Sequence, residues 1–260
     1  MISVEPPHTR FDLHFQLLGF PVRIHPFFWL VGFLLGVGGG ATQISLVIWM
    51  VALLVSILLH ELGHALMIRR FGRPAYIVLH GLGGLAIEGH PRGAWGASWE
   101  AAGPIRRTPG QQILISAAGP AAQLLLAAAL VAAIVLAGGT VELVFAQGIP
   151  LLVPRLAGEL AGNRNLFELL FDLLQVNTLW PLVNLLPVLP LDGGQIALQL
   201  WVQHDPWSGV MRALWLSVVT GGAVAVAALM AQQLLIAILF ASLAVSSYGA
   251  LQQMGGRRPW

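Results

Sequence analysis

The residues Leu59-His60-Glu61-Leu62-Gly63-His64-Ala65 stand near the end of an apolar run that extends from Ile44 to Ile68. A helix of this length crosses the roughly 30 Å hydrocarbon core of a bilayer. Ionisable residues inside a membrane are costly, so a helix that carries three of them within five positions is expected to use them. The stretch therefore predicts a membrane fold and a functional site in its second half.

The spacing of the two histidines is that of a metal site. His60 and His64 are four residues apart, which places both imidazoles on one face of a helix. Two imidazoles so arranged bind one Zn²⁺ at about 2.0 to 2.1 Å. Glu61 is turned by about 100° around the helix axis, so it can act on a water molecule near the metal without ligating the metal. The pattern indicates a catalytic zinc site with Glu61 as general base.

The composition supports a membrane protein. Of the 260 residues, 57% are hydrophobic and 9% are charged, and the mean hydropathy is +0.79. These values are too apolar for an ordinary soluble domain. The chain has no cysteine, so His, Asp or Glu would have to hold any metal. A formal charge of +2 gives no indication of nucleic-acid binding.

Six apolar stretches predict an all-α polytopic membrane protein with about six transmembrane helices. They cover approximately residues 26–41, 44–68, 113–137, 166–191, 211–230 and 234–250. Around them we assign a lead-in (1–25), the membrane domain (26–250) and a short C-terminal tail (251–260). Between the second and third stretches, Gly83-Gly84 is interpreted either as part of a small membrane-associated β-hairpin or as a flexible loop.

A catalytic zinc needs a third protein ligand and an open position. The fourth stretch ends in Asn184-Leu185-Leu186-Pro187-Val188-Leu189-Pro190-Leu191-Asp192-Gly193-Gly194. Prolines free backbone groups that only protein or a water-filled cavity can satisfy, so this segment is expected to face a site. In the six-span topology Asp192 lies on the same membrane side as His60 and His64, and we expect it to be the third ligand. The alternative is an aspartate that faces water before a Gly-Gly turn.

These motifs together resemble the site-2 protease family of intramembrane zinc metalloproteases. The resemblance rests on His60 to His64, Ser116-Ala117-Ala118-Gly119-Pro120, the segment from Asn184 to Gly194, and the opening Gly19-Phe20-Pro21-Val22-Arg23-Ile24-His25-Pro26. It implies that His60, His64 and Asp192 bind one Zn²⁺ per chain and that Glu61 is the general base. It also implies that Asn184 holds the substrate backbone or the developing oxyanion. A structural role for Asn184, satisfying carbonyls freed by Pro187, is the alternative.

The resemblance implies a zinc-dependent endopeptidase that cuts in or near the transmembrane helix of a membrane protein, as in regulated intramembrane proteolysis. The implied partners are the lipid bilayer and a membrane-spanning substrate, such as an anti-sigma factor or a membrane-tethered transcription regulator. Two other functions are open, namely a metal transporter and a proteolytically silent relative that binds membrane proteins. A transporter would need further polar ligands along its path, and a silent relative has no need of Glu61.

The arginines predict the orientation in the membrane. Six spans with a cytoplasmic N-terminus place only Arg155 and Arg164 outside and the other eleven of the thirteen arginines inside. Because positive residues favour the cytoplasmic side, we predict that both termini lie in the cytoplasm. We expect the membrane to be a prokaryotic inner membrane. Reporter fusions after residues 90 and 155 are expected to report opposite sides. The same side for both would exclude the six-span arrangement.

Overall fold

The computed structural model describes residues 5–37, 42–81, 83–89, 107–146 and 149–255. The elements are β1 (Leu13–Leu17), β2 (Phe20–Ile24), α1 (Pro26–Gly36), α2 (Gln43–Arg70), β3 (Ala75–His80), β4 (Gly83–Glu88), α3 (Pro109–Leu136), β5 (Thr140–Ala146), β6 (Ile149–Arg155), α4 (Arg164–Asn184), α5 (Asp192–Val202), α6 (Pro206–Met230) and α7 (Leu234–Gly255). These residues form two compact units. The first contains the described residues up to 89 and residues 118–181, and the second contains 107–117 and 182–255.

Within the described part of the chain, five helices are long and apolar enough to cross a membrane, namely α2, α3, α4, α6 and α7. The first predicted span instead forms α1, which has 11 residues. At 1.5 Å per residue this helix reaches about 17 Å, roughly half of a hydrocarbon core, so the predicted count of six spans is not confirmed. Glycine has a low helix propensity, and Gly38-Gly39-Gly40 follow closely in the sequence.

The start of α1 gives His25 a structural role. His25 is the N-cap of this helix, and its Nδ1 accepts a hydrogen bond of 3.1 Å from the backbone N–H of Phe27. The cap satisfies one of the amide groups that a helix leaves unpaired at its N-terminus.

The first unit contains a four-stranded sheet in the order β1-β2-β3-β4. Strands β1 and β2 are antiparallel, as are β3 and β4, and β2 runs parallel to β3. Gly83 and Gly84 begin β4 and are therefore in a strand. The fold is mostly helical, but the all-α class omits this sheet. Residues 13–24, which we assigned to the lead-in, contain β1 and β2, and residues 22–24 of β2 pair with β3 of the membrane domain.

A buried ion-pair network attaches the N-terminal residues to the sheet. The Arg23 guanidinium donates to Asp12 Oδ2 and to Glu5 Oε1, each at 2.9 Å. The Tyr76 hydroxyl donates to the other oxygen of Glu5 at 2.8 Å. Arg23 is buried, and a buried charge is tolerated when it is paired and hydrogen-bonded. The network joins residues before β1 to both β2 and β3.

Helices α2 and α3 approach each other closely because a glycine lies between them. A Cβ atom added at Gly63 of α2 would lie 2.5 Å from the backbone oxygen of Ala118 in α3. Small residues permit such contacts between helices in membranes. Pro120 follows two residues later inside α3, and the helix continues through it to Leu136.

The first unit also contains an antiparallel pair, β5 and β6, that the sequence analysis did not predict. The side-chain amide of Gln175 in α4 forms hydrogen bonds with both the backbone N–H and the backbone carbonyl of one residue in β6. The Gln175 amide donates to Leu152 O at 2.7 Å, and its Oε1 accepts from Leu152 N at 3.3 Å. Backbone groups in an apolar environment need such partners, so Gln175 holds β6 against α4.

In the second unit, α5, α6 and α7 pack beside the segment that follows α4. Val188, Ala225 and Phe240 form a buried apolar cluster. The backbone N–H of Leu189 donates to Ser217 Oγ at 3.0 Å. A Cβ at Gly193 would collide with the backbone of Leu185, so the first turn of α5 lies directly against that segment.

We predict that Gly63→Ala lowers stability because the added methyl would force α2 away from α3. Overpacking costs about 1 to 3 kcal/mol, which outweighs the gain in helix propensity of at most about 1 kcal/mol. Gly222→Ala in α6 is the matched control, since a Cβ there meets no atom within 4 Å. Thermal unfolding in detergent should show a lower Tm for Gly63→Ala alone. Equal stability of the two variants would contradict the close contact.

Candidate metal centre

Three ionisable side chains lie buried in the second half of α2. His60, Glu61 and His64 are 4%, 5% and 8% exposed. The Nε2 atoms of the two histidines are 3.0 Å apart, and their rings meet edge to face with centroids 4.7 Å apart. The helix thus directs the same nitrogen of both imidazoles toward one point.

The space at this point fits a metal ion. Two ligands of a tetrahedral zinc lie roughly 3.3 Å apart, close to the observed separation of the Nε2 atoms. Gly119 of α3 faces them, and a Cβ added there would contact His64 Nε2 and lie 2.9 Å from His60 Nε2. Because residue 119 has no side chain, no side-chain atom of that residue lies in front of the two nitrogens. Two buried imidazole donors at this separation suit Zn²⁺.

Polar residues on three helices surround the His60 turn. Gln123 Oε1 lies 2.8 Å from His60 Nδ1, and Gln123 Nε2 donates to Ser56 O at 3.2 Å. Asn177 of α4 donates to Ser56 Oγ at 2.7 Å. The sequence analysis did not select Ser56, Gln123 or Asn177. The sequence did contain a signal for these residues, because a polar side chain in an apolar span is expected to face protein and not lipid.

Strand β4 lies against the carboxylate of Glu61. A Cβ added at Gly84 would lie 2.7 Å from Glu61 Oε1. The neighbouring Gly83 is close to Trp180 of α4, whose ring carbon would be 3.4 Å from an added Cβ. The structure therefore brings the Gly83-Gly84 segment to Glu61, and main chain rather than a side chain is next to the acid.

Asn184 and Asp192 both belong to the second unit. Asn184 is the last residue of α4, and Asp192 is the first residue of α5. Both are partly buried. The prolines that the sequence analysis noted, Pro187 and Pro190, lie in the non-helical segment between the two helices. The fourth helix therefore ends at Asn184, earlier than the predicted end at residue 191.

A second group of metal-ligand side chains lies near β1, where ligand atoms of His8, Asp12 and His14 are within 4.8 Å of one another. Asp12 is already engaged, because Oδ1 accepts from the Thr9 hydroxyl at 2.6 Å and Oδ2 accepts from Arg23. Burial raises the pKa of Asp12, but the hydrogen bonds from Thr9 and Arg23 outweigh it and hold the pKa below its usual value. Asp12 is thus an ionised partner of Arg23.

Comparisons with known proteins assign the chain to a peptidase family. The model of peptidase family M50 matches residues 48–226, and the chain belongs to this family, that of the site-2 proteases. Among solved structures, the Site-2 Protease from Methanocaldococcus jannaschii has a similar fold, with a TM-score of 0.53 and 17% identity over 93% of this chain and 95% of that chain. No curated protein matches the chain. The resemblance drawn from the sequence motifs is confirmed.

We predict that Gly119→Ala weakens metal binding, because the methyl group would occupy the space in front of both Nε2 atoms. Overpacking of about 1 to 3 kcal/mol corresponds to roughly 5- to 150-fold in affinity. Gly110→Ala in the same helix is the control, since its Cβ would meet no atom within 4 Å. Metal content and affinity of the purified variants, together with their Tm, provide the measurement. Wild-type affinity in Gly119→Ala would show that this space is not the metal position.

Proposed function

We propose that this protein is a zinc-dependent intramembrane endopeptidase that hydrolyses a peptide bond in or near the transmembrane helix of a membrane protein. One observation carries the proposal. In a chain of family M50, the Nε2 atoms of His60 and His64 lie 3.0 Å apart and face the backbone of Gly119, which has no side chain to fill the position in front of them. Glu61 is buried in the same helical turn.

In this proposal His60, His64 and Asp192 hold one Zn²⁺ per chain. Catalytic zinc sites commonly use three protein ligands and one open position, and two histidines with a carboxylate form one such set. Asp192 offers a partly buried carboxylate in the first turn of α5. When bound, the ion supplies Lewis acidity, which polarises the scissile carbonyl and lowers the pKa of water to about 7.

Glu61 is the proposed general base and acid. Its carboxylate takes a proton from the attacking water and returns it to the leaving amine. The backbone of β4 beside Glu61 offers no competing side chain at residue 84. Asn184 is proposed to donate its side-chain amide to the substrate backbone or to the developing oxyanion. The alternative for Asn184 is to satisfy backbone carbonyls next to Pro187.

The substrate must present an extended backbone, because the carbonyls of an intact helix are hydrogen-bonded. Strand β4 is at the end of the sheet order and pairs with β3 along one edge. We propose that an unwound substrate segment adds to the other edge of β4, beside Glu61. A membrane-tethered regulator, such as an anti-sigma factor, is the proposed substrate class. The site would face the cytoplasm of a prokaryotic cell.

The decisive experiment separates chemistry from metal binding. Glu61→Gln keeps the shape of the side chain and removes its basicity, so cleavage of a single-span substrate in liposomes should fall about a hundredfold or more. Zinc content should stay at the wild-type level. Glu159→Gln, at an exposed position of the 3-10 turn before α4, is the control and should cleave normally.

Two companion variants assign the remaining roles in the same assay. Asp192→Ala should lose zinc, whereas Asn184→Ala should keep zinc and lose about a hundredfold in rate if it donates directly to the oxyanion. Full zinc content in Asp192→Ala would remove that residue from the ligand set. Full cleavage by Glu61→Gln would refute the role of Glu61 as general base. No cleavage of any membrane-spanning substrate by the wild type would favour a transporter or a binding protein.

A further inference from the structure

Gln123 connects two parts of one helical turn. It lies in α3, is fully buried, and reaches α2 with both ends of its side-chain amide. The amide nitrogen donates to the backbone oxygen of Ser56, and the amide oxygen is 2.8 Å from Nδ1 of His60. Ser56 precedes His60 by four residues, so Gln123 spans one turn of α2.

These partners determine which nitrogen of His60 carries the proton. A backbone carbonyl can only accept, so the NH₂ group of Gln123 must face Ser56 and the oxygen must face His60. An amide oxygen also only accepts, so Nδ1 of a neutral His60 must be the N–H donor. Nε2 of His60 is then the unprotonated ring nitrogen, which acts as an acceptor. The 3.0 Å contact between the two Nε2 atoms agrees, since His60 can accept there from His64.

We infer that Gln123 is a positioning residue that fixes the tautomer and ring orientation of His60 and so presents Nε2 to the metal. The metal part of this inference rests on the proposed function, whereas the tautomer follows from the hydrogen bonds alone. Histidine ligands usually donate their second N–H to an acceptor, and loss of that acceptor weakens metal binding. A neutral amide fills this role without adding a further charge to a buried site.

Ser56, whose backbone oxygen accepts from Gln123, is itself held in place by buried hydrogen bonds. Ser56 Oγ donates to Ala52 O at 2.7 Å and accepts from the Asn177 amide at 2.7 Å. Asn177 also donates to Leu173 O at 2.8 Å. Ser56, Gln123 and Asn177 are all fully buried. Rotation of α2 would break bonds to α3 and α4 together, so the position of His60 is fixed relative to Gln123.

A purely structural role for Gln123 as a link between helices makes different predictions. A structural link would change the thermal stability of the protein without changing metal affinity or the His60 tautomer. Gln175→Met is the matched control, because Gln175 is also a glutamine in an apolar helix and bonds to the backbone of β6. Gln175 contacts Leu152 and lies outside the proposed ligand set.

The first test measures Zn²⁺ affinity by competition with a chelator. Gln123→Met removes the acceptor at similar length and should weaken binding about 10- to 100-fold, the usual effect of losing an outer hydrogen bond to a ligand. Gln175→Met should bind as wild type. Gln123→Glu retains an acceptor for Nδ1–H but loses the donor to Ser56 O, so it should bind Zn²⁺ more tightly than Gln123→Met and less tightly than the wild type. Wild-type affinity in a folded Gln123→Met protein would overturn the inference.

The second test reads the tautomer without metal. In metal-free wild type with ¹⁵N-labelled histidine, at a pH where imidazole is neutral, NMR should show His60 protonated at Nδ1, with its signals assigned from a His60→Ala sample. Protonation at Nε2 would overturn the inference, even if Gln123→Met fails to fold. If the wild type binds no zinc, the proposed function fails, and this measurement still decides the role of Gln123.

Discussion

The first unit depends on one constraint, the free-energy cost of removing two imidazoles and a carboxylate from water. His60, Glu61 and His64 lie within five residues of an apolar helix and are almost fully buried. Groups of this kind are stable in a protein interior only when they have partners. The close approach of α3 at Gly63 brings Gln123 to His60, and the sheet brings main chain to Glu61.

Side-chain amides recur as the partners in this apolar interior. Gln123 bonds to a ring nitrogen and a carbonyl, and Gln175 bonds to both backbone groups of Leu152. Asn177 donates to a hydroxyl and to a carbonyl of its own helix. An amide both donates and accepts and carries no charge, so it can link two unlike groups at a lower desolvation cost than an ion. Through this chemistry Gln123 and Asn177 connect α2 to α3 and α4 without adding a charge.

The sequence predicted the parts of this protein that depend on local periodicity. The His60, Glu61 and His64 arrangement follows from helical geometry alone, and the long apolar runs became α2, α3, α4, α6 and α7. Strands β1, β2, β5 and β6 were missed because segments of five to seven residues have little periodicity, and their pairing depends on distant residues. Gln123 was missed because its partner is 63 residues away. The role of Asp192 stays a prediction.

Three glycines lie in or next to the buried turn, and at each of them the main chain contacts the neighbouring group directly. Gly63 faces Ala118, Gly84 faces Glu61, and Gly119 faces both imidazoles. Any substitution at these positions can only obstruct, because every other residue adds atoms where none fit. The shape of the site therefore cannot be adjusted in small steps by substitution at these three positions. Evolutionary divergence in what such a protein accepts has to arise farther out, where side chains can vary without touching the centre.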